Sequence, residues 1–268
     1  MDAMGLKQLA ELIYNHCGID YTNSLSSLDT KVNYRIKELG LSYWEYCGYI
    51  KMETHEWDVL IELITVNETY FFREESLLDE FRKRVLSISK YYSPLNPLRI
   101  WCAACSTGEE PYTLGMIIED LGCFLPGAVK IIASDINKKV LDKAKKGLYN
   151  KKSFSFRKMP EGALEKFFLD SEDNYLVKPS IQNMVEFKNI NLLDSGQLDQ
   201  INDIDIILCR NVLIYFDKNA IQKIVDEFHR ILKPNGTLYL GHSETLSYVK
   251  HKFETVYTDN IFYYKKGD

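Results

Sequence analysis

The spacing of apolar residues changes character about one third of the way along the chain. Up to about residue 90, apolar positions recur every three or four residues, which predicts amphipathic helices and an all-α region. Five segments carry this spacing: LKQLAELIYNH, SLDTKVNYRIKELG, SYWEYCGYIKM, EWDVLIELITV and ESLLDEFRKRVLSISK. The stretch YYSPLNPL then interrupts it with two prolines and an asparagine. We therefore predict a helical domain over 1–90 and a linker over 91–97.

From residue 98 onward, short apolar runs alternate with helical segments. The order begins with LRIWCAA, PYTLGMIIEDL, VKIIASD and NKKVLDKAKKG, and it ends with the paired runs FETVYTD and IFYYKK. This alternation predicts a doubly wound, mostly parallel sheet over 98–268, and the short turn between the last two runs predicts an antiparallel edge hairpin. The pattern lapses at about 150–188, where we expect a small inserted β-element. A ligand would bind at the carboxyl ends of the strands.

Composition narrows the classes of function. The 268 residues are 46% hydrophobic and 26% charged, which suits a globular chain with packed cores. A net charge of -5 argues against nucleic acid as the main partner. No apolar run approaches the roughly 20 residues of a membrane span, and the N-terminus lacks the order of a signal peptide. We therefore expect a cytoplasmic protein that does not insert into a membrane.

The segment WCAACSTGEEPYT, residues 101–113, contains one CxxC pair. Neither a second pair nor histidines at ligand spacing accompany Cys102 and Cys105, so no metal site is expected. A redox pair is the less favoured alternative, because the usual neighbours of such a pair are missing. The six cysteines lie far apart in a chain too large to need disulfides, and we expect free thiols.

The same segment joins a predicted strand to a predicted helix. Such a loop lets a ligand approach small residues and the N–H groups of the helix. Of the glycines in a dinucleotide-binding loop pattern, only Gly108 is present. The carboxylates of Glu109 and Glu110 at the start of the helix disfavour a phosphate group. Asp135, about 25 residues further on at the end of the next strand, is placed to accept hydrogen bonds from ribose hydroxyls. A cationic nucleoside without phosphate, such as S-adenosylmethionine (SAM), fits these features.

Several motifs occur in a fixed order along nearly the whole chain. They are VNETYFFRE (66–74), WCAACSTGEEPYT (101–113), ASDIN (133–137), NLL (191–193), CRNVLIYFDK (209–218), LKPNGTLYLGHSE (232–244) and a closing antiparallel pair. With these motifs the sequence resembles the CheR-type chemotaxis receptor methyltransferases, which are SAM-dependent protein-glutamate O-methyltransferases. The resemblance implies a small N-terminal all-α domain, serving as cofactor lid and receptor contact, before a Rossmann-like class I methyltransferase sheet.

The resemblance also implies roles for individual residues. Those that would bind the cofactor are Asn67, Thr69, Arg73, Glu110, Asp135, Asn191, Leu192, Arg210 and Asn211. Arg73 and Tyr215 would be catalytic: the arginine would position the acceptor carboxylate, and the phenol would donate a hydrogen bond beside the methyl group. No general base is required, because a glutamate side chain is already ionised at neutral pH. The product would be S-adenosylhomocysteine.

Each of these assignments has a structural alternative. Asp135 could cap the following helix, and one of Glu109 and Glu110 could only complement the helix dipole. Arg73 could pair with an acid on its own helix, and Tyr215 could be an ordinary core aromatic.

The partner implied by the resemblance is the cytoplasmic coiled-coil domain of chemoreceptors, bound by a monomer. Lys31, Arg35 and Lys37 match the basic positions with which the family's helical domain contacts the receptor. In some members the inserted β-element also holds a peptide from the receptor's C-terminus. Here the corresponding FLDSEDNYLV is short, acidic and free of glycine, so we predict that no tethering peptide is needed.

Two other functions stay open on the sequence. One is a regulatory module that binds SAM or S-adenosylhomocysteine without turnover, and the other is a methyltransferase with a different acceptor. Arg73 and Tyr215 beside an intact pocket favour catalysis over the first alternative. The leading helical domain with NETYFFRE disfavours the second, because general methyltransferases lack it.

Overall fold

Helices make up the first third of the computed structural model, which describes residues 3–268. They are α1 (Ala3–Cys17), α2 (Leu25–Glu38), α3 (Tyr43–Met52), α4 (Glu56–Ile64) and α5 (Glu75–Ile88). All five predicted helical segments are therefore helical, although the first two residues of the predicted domain 1–90 lie outside the described residues. A capping box fixes the start of α3, because Ser42 and Glu45 each bond the other's backbone N–H.

Ten strands follow from residue 98 to the end of the chain. They are β1 (Leu98–Ala103), β2 (Val129–Asp135), β3 (Leu148–Asn150), β4 (Phe168–Ser171), β5 (Asn174–Val177), β6 (Val185–Asn189), β7 (Ile204–Cys209), β8 (Leu232–Leu240), β9 (Phe253–Tyr257) and β10 (Phe262–Lys266). Seven of them form one sheet in the order β6-β2-β1-β7-β8-β10-β9. The pairs are parallel except for β10, which runs antiparallel to β8 and β9. The predicted mostly parallel sheet with an antiparallel edge hairpin is confirmed.

Helices cover both faces of this sheet, as a doubly wound fold requires. They are α6 (Glu109–Leu121), α7 (Lys138–Lys146), α8 (Ala163–Phe167), α9 (Pro179–Gln182), α10 (Ser195–Leu198) and α11 (Lys218–Ile231). Side chains of β1 alternate between two cores: Ile100 packs with the core that contains α6, and Trp101 packs with the core that contains α11. No helix among residues 3–268 has the length and apolar character needed to cross a membrane.

The helix α5 belongs to the core of the sheet and not to that of the other N-terminal helices. Its Leu78 and Phe81 pack in the same core as α6, whereas Leu9, Ile36 and Ile61 form a separate core with the rest of α1 to α4. An amphipathic pattern shows that a helix has an apolar face, but it does not identify the surface that covers that face. Along the chain, the change from one core to the other therefore falls in the segment between α4 and α5.

The predicted inserted β-element is present as a small antiparallel sheet in the order β3-β5-β4. An aromatic cluster joins it to the segment before α5: Phe71 stacks on Phe156 and meets Tyr149 and Phe168 edge-on. The N–H group of Phe71 also donates to the carbonyl oxygen of Ser155 at 2.9 Å. This element is thus fixed beside the segment that links the helices to the sheet.

Candidate active site

The residues predicted to bind the cofactor and the acceptor line a single pocket. It lies at the carboxyl ends of β1, β2 and β7, where the strand order reverses on either side of β1, and the segment 64–73 covers it. The predicted residues in its lining are Asn67, Thr69, Arg73, Glu110, Asp135, Asn191, Leu192, Arg210, Asn211 and Tyr215. Folding thus collects into one site residues that are spread over about 150 positions.

The loop after β1 has a constrained backbone. Ala104 and Ser106 adopt left-handed conformations with φ of 62° and 49°, and Gly108 has φ of 94°. A Cβ on Gly108 would lie 2.9 Å from the Cβ of Ala144, so only glycine fits this turn. The hydroxyl of Ser106 donates to the carbonyl of Asn67 at 2.9 Å, which ties the loop to the covering segment. Backbone strain concentrated in one loop is typical of a functional site.

Asp135 ends β2 with its carboxylate at the pocket. One oxygen accepts from the N–H of Ser106 and the other from the N–H of Asn137, each at 2.9 Å. The helix cap of α7 is Asn137, whose side chain accepts from the N–H groups of Lys139 and Val140, so the cap interpretation of Asp135 does not hold. Burial raises the pKa of Asp135, and the backbone N–H groups oppose that shift. Each oxygen retains a lone pair for a hydroxyl donor.

A buried charge network joins three segments at the pocket. The side chain of Arg210 is 3% exposed and contacts Glu110 at 2.6 Å, Glu74 at 3.2 Å and the carbonyl oxygen of Arg73 at 2.6 Å. Burial raises the pKa of Glu110, against the effect of Arg210. Burial would also raise the pKa of Glu74, but Arg210 together with hydrogen bonds from the backbone of His242 and the side chain of Asn211 lowers it. Arg210 thus clamps the covering segment to the start of α6.

The two adjacent glutamates at the start of α6 have different surroundings. Glu110 lines the pocket, whereas Glu109 is buried beneath the loop and accepts from the hydroxyls of Thr107 at 2.6 Å and Ser155 at 2.7 Å. Glu109 therefore connects the loop to the inserted element. The sequence indicated that one of the two carboxylates is structural, and the structure identifies which one.

Arg73 and Tyr215 both lie at the pocket. Arg73 precedes α5; its Nη1 donates to the carbonyl of Glu68 at 3.2 Å, and its Nε lies 4.0 Å from the carboxylate of Glu74, one of the acids with which it could pair. Tyr215 ends a short 3-10 turn and is half-buried. Burial raises the pKa of Tyr215, and the nearby charge of Arg73 opposes this. The phenol is protonated at neutral pH and can donate a hydrogen bond.

Asn191 and Leu192 form the pocket wall nearest α1. The side chain of Asn191 donates to the carbonyl of His16 at 2.6 Å and accepts from the N–H of Leu193 at 3.0 Å. Leu192 is buried and contributes apolar surface to the pocket. Asn191 therefore ties the sheet domain to the helical domain.

Glu244, for which the sequence indicates no role, shapes the loop after β7. Its buried carboxylate accepts from four backbone N–H groups: Gly241 at 2.7 Å, Asn211 at 2.7 Å, Val212 at 2.9 Å and Leu213 at 2.8 Å. These bonds hold Asn211 in a left-handed conformation with φ of 58°. An acid at the end of a predicted strand was the one available signal, and the sequence could not show which N–H groups it would meet.

The CxxC pair of the first loop consists of buried thiols. Burial raises the pKa values of Cys102 and Cys105 well above the ordinary range, so both are protonated at neutral pH and are poor nucleophiles. Across residues 3–268, no three or more His, Cys, Asp or Glu side chains are grouped so that they could hold a metal ion. The thiols act here as small packing groups beneath a tight turn.

The three basic residues predicted to contact a partner lie on α2, and none of them is in the lining of the pocket. Arg35 reaches the buried carboxylate of Glu56 at 2.8 Å, and Lys31 donates to the carbonyl of Ile64 at 3.2 Å. Lys37 is exposed. Two of the three side chains therefore make contacts within the helical domain.

Comparison with known proteins gives consistent matches over both domains. A model described as "CheR methyltransferase, all-alpha domain" matches residues 4–65, and one described as "CheR methyltransferase, SAM binding domain" matches residues 67–262. Chemotaxis protein methyltransferase 2 of Pseudomonas aeruginosa is 35% identical, and the match covers 93% of this chain and 89% of that protein. Chemotaxis protein methyltransferase of Escherichia coli is 34% identical over 94% and 89% of the two chains. The chain belongs to the CheR methyltransferase family.

Proposed function

We propose that this protein transfers the methyl group of SAM to glutamate side chains of chemoreceptors, giving glutamate methyl esters for sensory adaptation. The observation that carries the proposal is the single pocket that gathers Asp135, Glu110, Arg73 and Tyr215. Relatives named chemotaxis protein methyltransferases, matched over most of their length, support the choice of acceptor. We place the reaction in the cytoplasm and expect the protein to act as a monomer.

The polar groups of the pocket fit SAM. Asp135 has carboxylate lone pairs for the ribose hydroxyls, and Glu110 adds negative charge for an ammonium group. The buried Nε of Arg210 has no acceptor among the described residues, which suits a ligand carboxylate in this pocket. Leu192 and the backbone of Asn191 offer a surface for adenine. When bound, SAM supplies a methyl group activated by a positively charged sulfur.

The task of the protein's own residues is alignment. An ionised glutamate is already a nucleophile at neutral pH, so the residues have to orient it and exclude water. Arg73 holds one acceptor oxygen through a charge-assisted contact, and Tyr215, which lines the same pocket, donates a hydrogen bond to the acceptor. Since the attack neutralises the carboxylate, an ion pair that is too tight would favour the ground state over the transition state. We therefore assign Arg73 to positioning.

We assign the roles of cofactor lid and receptor contact to the helical domain. Polar bonds join the domains around the pocket: Asn137 Nδ2 donates to Thr65 Oγ1 at 3.0 Å, and the N–H of Asp20 donates to the carbonyl of Tyr215 at 3.3 Å. The lid role belongs to the chain before α5, because α5 packs in the core of the sheet. Our first candidate for receptor contact on α2 is Lys37, and Lys31 and Arg35 on the same helix are our further candidates.

Replacing Tyr215 by phenylalanine should lower turnover and leave cofactor binding almost unchanged. The substitution removes one hydroxyl from a half-buried ring, so the fold and the pocket volume are retained. Loss of one transition-state hydrogen bond should reduce kcat by about 10- to 100-fold. Steady-state kinetics with a receptor fragment and calorimetry with SAM measure the two effects. Wild-type turnover by this variant would refute the catalytic role of Tyr215.

Replacing Asp135 by alanine should weaken SAM binding by about 1–3 kcal/mol, or 5- to 150-fold in Kd. The substitution removes the ribose acceptors and releases the N–H groups of Ser106 and Asn137. Asp205→Ala is the matched control, because Asp205 is also a buried, hydrogen-bonded carboxylate but lies at the start of β7, away from the pocket. Calorimetry should show altered affinity for the first variant alone. Equal Kd values for both would contradict the assignment.

Methylation should not depend on the receptor's extreme C-terminus. Between β4 and β5 the chain turns at two residues, Glu172 and Asp173, so the inserted element has no long loop there to enclose a tether. Rates measured on one receptor with and without its last residues should agree within about twofold. A large loss on truncation would show that the inserted element holds a tether after all.

The two alternative functions give different results in one assay. A regulatory module would bind SAM in the calorimeter but release no base-labile methyl groups from any protein. A methyltransferase with another acceptor would produce S-adenosylhomocysteine in cell extract but leave purified receptor unlabelled. Methyl esters formed on the purified receptor support the proposed function over both.

A further inference from the structure

The inserted element carries a surface segment of one charge sign. Residues 151–158, KKSFSFRK, contain four basic residues and no acidic residue, and we refer to them as the basic strip. Phe154 in its middle is 80% exposed, and Lys152 and Lys158 are also exposed. The whole chain has a net charge of -5, so this strip differs in sign from the average surface.

The basic strip adjoins the rim of the pocket. The guanidinium of Arg157 lies 3.8 Å from the ring centroid of Tyr70 and 2.8 Å from a carboxylate oxygen of Glu68. Tyr70 and Glu68 line the pocket together with Arg73, whose guanidinium lies 5.6 Å from the same ring. The ring of Tyr70 is thus near both the arginine assigned to the acceptor and an arginine of the strip.

The strip is held in one conformation. The carbonyl oxygen of Ser155 accepts from the N–H group of Phe71, and the hydroxyl of Ser155 donates to the buried carboxylate of Glu109 at 2.7 Å. At the start of the strip, the N–H of Lys151 donates to the carbonyl of Asp173 at 2.9 Å. A surface that is already ordered loses little conformational entropy when a partner binds.

The charges of the strip are not all compensated within the protein. Lys151 pairs with Asp170 at 2.7 Å and Arg157 with Glu68, whereas Lys152 and Lys158 point their positive charge to solvent from exposed positions. The substrate of this pocket is an anionic side chain, and an acidic protein repels an anionic partner unless a local positive field offsets this. The basic strip supplies such a field beside the pocket.

We propose that the basic strip binds acidic residues that flank the acceptor glutamate on the receptor surface. This inference rests on the proposed function and adds a second contact to it. The exposed ring of Phe154 would cover an apolar position between those acids. Of the three predicted contact residues on α2, Arg35 and Lys31 make internal contacts and Lys37 is exposed, whereas the strip has two exposed lysines outside its own ion pairs, Lys152 and Lys158.

The test compares two double charge reversals on a receptor fragment that lacks its extreme C-terminus. Lys152→Glu with Lys158→Glu changes the strip. Lys90→Glu with Lys130→Glu makes the same charge change at exposed positions near the amino ends of the strands. We expect the strip variant to raise KM for the receptor about tenfold and to flatten its salt dependence, with kcat and the Kd for SAM within about twofold of wild type. The control should match wild type. Phe154→Ala should raise KM without changing the salt dependence.

Each outcome bears on the inference. Equal KM values for the strip variant and its control would overturn it. An effect of the strip that is seen with full-length receptor but is absent after truncation would also overturn it, because the strip would then hold the receptor's C-terminus. Direct binding of the receptor fragment, measured by fluorescence anisotropy, distinguishes a failure of the proposed function from a failure of the present inference. Strip-dependent binding without methylation contradicts the proposed reaction alone, and binding that ignores the strip overturns the present inference.

Discussion

Replacing Arg210 by methionine should lower the free energy of unfolding by about 3–5 kcal/mol at neutral pH. The substitution keeps an unbranched apolar side chain but removes the guanidinium, which leaves the buried Glu110 without a cation and Glu74 with only Arg73 at 4.0 Å, and it frees the carbonyl of Arg73. The loss should shrink as the pH falls. Burial already raises the pKa of Glu110, and removal of Arg210 raises this pKa further. As the pH falls, Glu110 of the variant is therefore protonated first, and the neutral carboxyl no longer places an unpaired charge in the core. Urea denaturation at several pH values measures both effects.

A surface arginine provides the control for this prediction. Arg230 pairs with Glu227 at 2.7 Å and Asp199 at 3.2 Å but is about half exposed, so Arg230→Met should change the free energy of unfolding by less than about 1 kcal/mol. Adding Glu110→Gln to the Arg210→Met variant should restore part of the stability, because it removes one of the buried charges. A loss below 1 kcal/mol for Arg210→Met would show that water or another group replaces its guanidinium.

Replacing Arg73 by alanine should reduce kcat/KM for the receptor by about 100-fold, since a misplaced acceptor loses that much in rate. The Kd for SAM should change much less, because Asp135, Glu110 and Arg210 remain in the pocket. Arg73→Lys should not restore activity fully, because an ammonium group lacks the planar pair of donors that fits a carboxylate. Initial rates with varied receptor concentration measure the effect.

The matched control for Arg73 is Arg82→Ala. Arg82 lies on α5, where it pairs with Asp79 at 2.7 Å, and it is absent from the lining of the active-site pocket. Its removal should leave kcat/KM within about twofold of wild type, as is usual for exposed helix pairs. If both variants lost activity equally, the effect would stem from the helix and not from acceptor positioning.

Most of the strand and helix order of the sheet domain could be predicted from the sequence, because the strands and the long helices α6, α7 and α11 have clear patterns outside the lapse at about 150–188. Because the carboxyl ends of parallel strands lie at the same edge of a sheet, the sequence predicts that the loop 101–113 and the end of β2 at Asp135 lie close together. Ordered motifs then linked distant segments such as 66–74 and 209–218. The local signals cover the part of the pocket formed by strand ends and the loops that follow them, whereas the segment 64–73 that covers the pocket is linked to it by its motif alone.

Pairings between distant side chains could not be predicted. The contact of Arg210 with Glu110 spans 100 residues, and that of Glu244 with Asn211 spans 33, so no local pattern records either one. For the same reason the sequence, which predicts Arg35 as a receptor contact, could not show that Arg35 is paired with Glu56 on another helix. The sequence also could not show which surface covers the apolar face of α5, since periodicity shows only that the helix has an apolar face.

The most direct test of the account is mass spectrometry of a chemoreceptor signalling fragment after incubation with this protein and SAM. The account predicts base-labile methyl groups on glutamate residues, formed by wild type and nearly lost with Arg73→Ala. The Arg82→Ala protein should methylate the same glutamates at close to the wild-type rate. Absence of methylation by wild type, with SAM binding confirmed by calorimetry, would contradict the proposed reaction and point to a binding-only role or another acceptor.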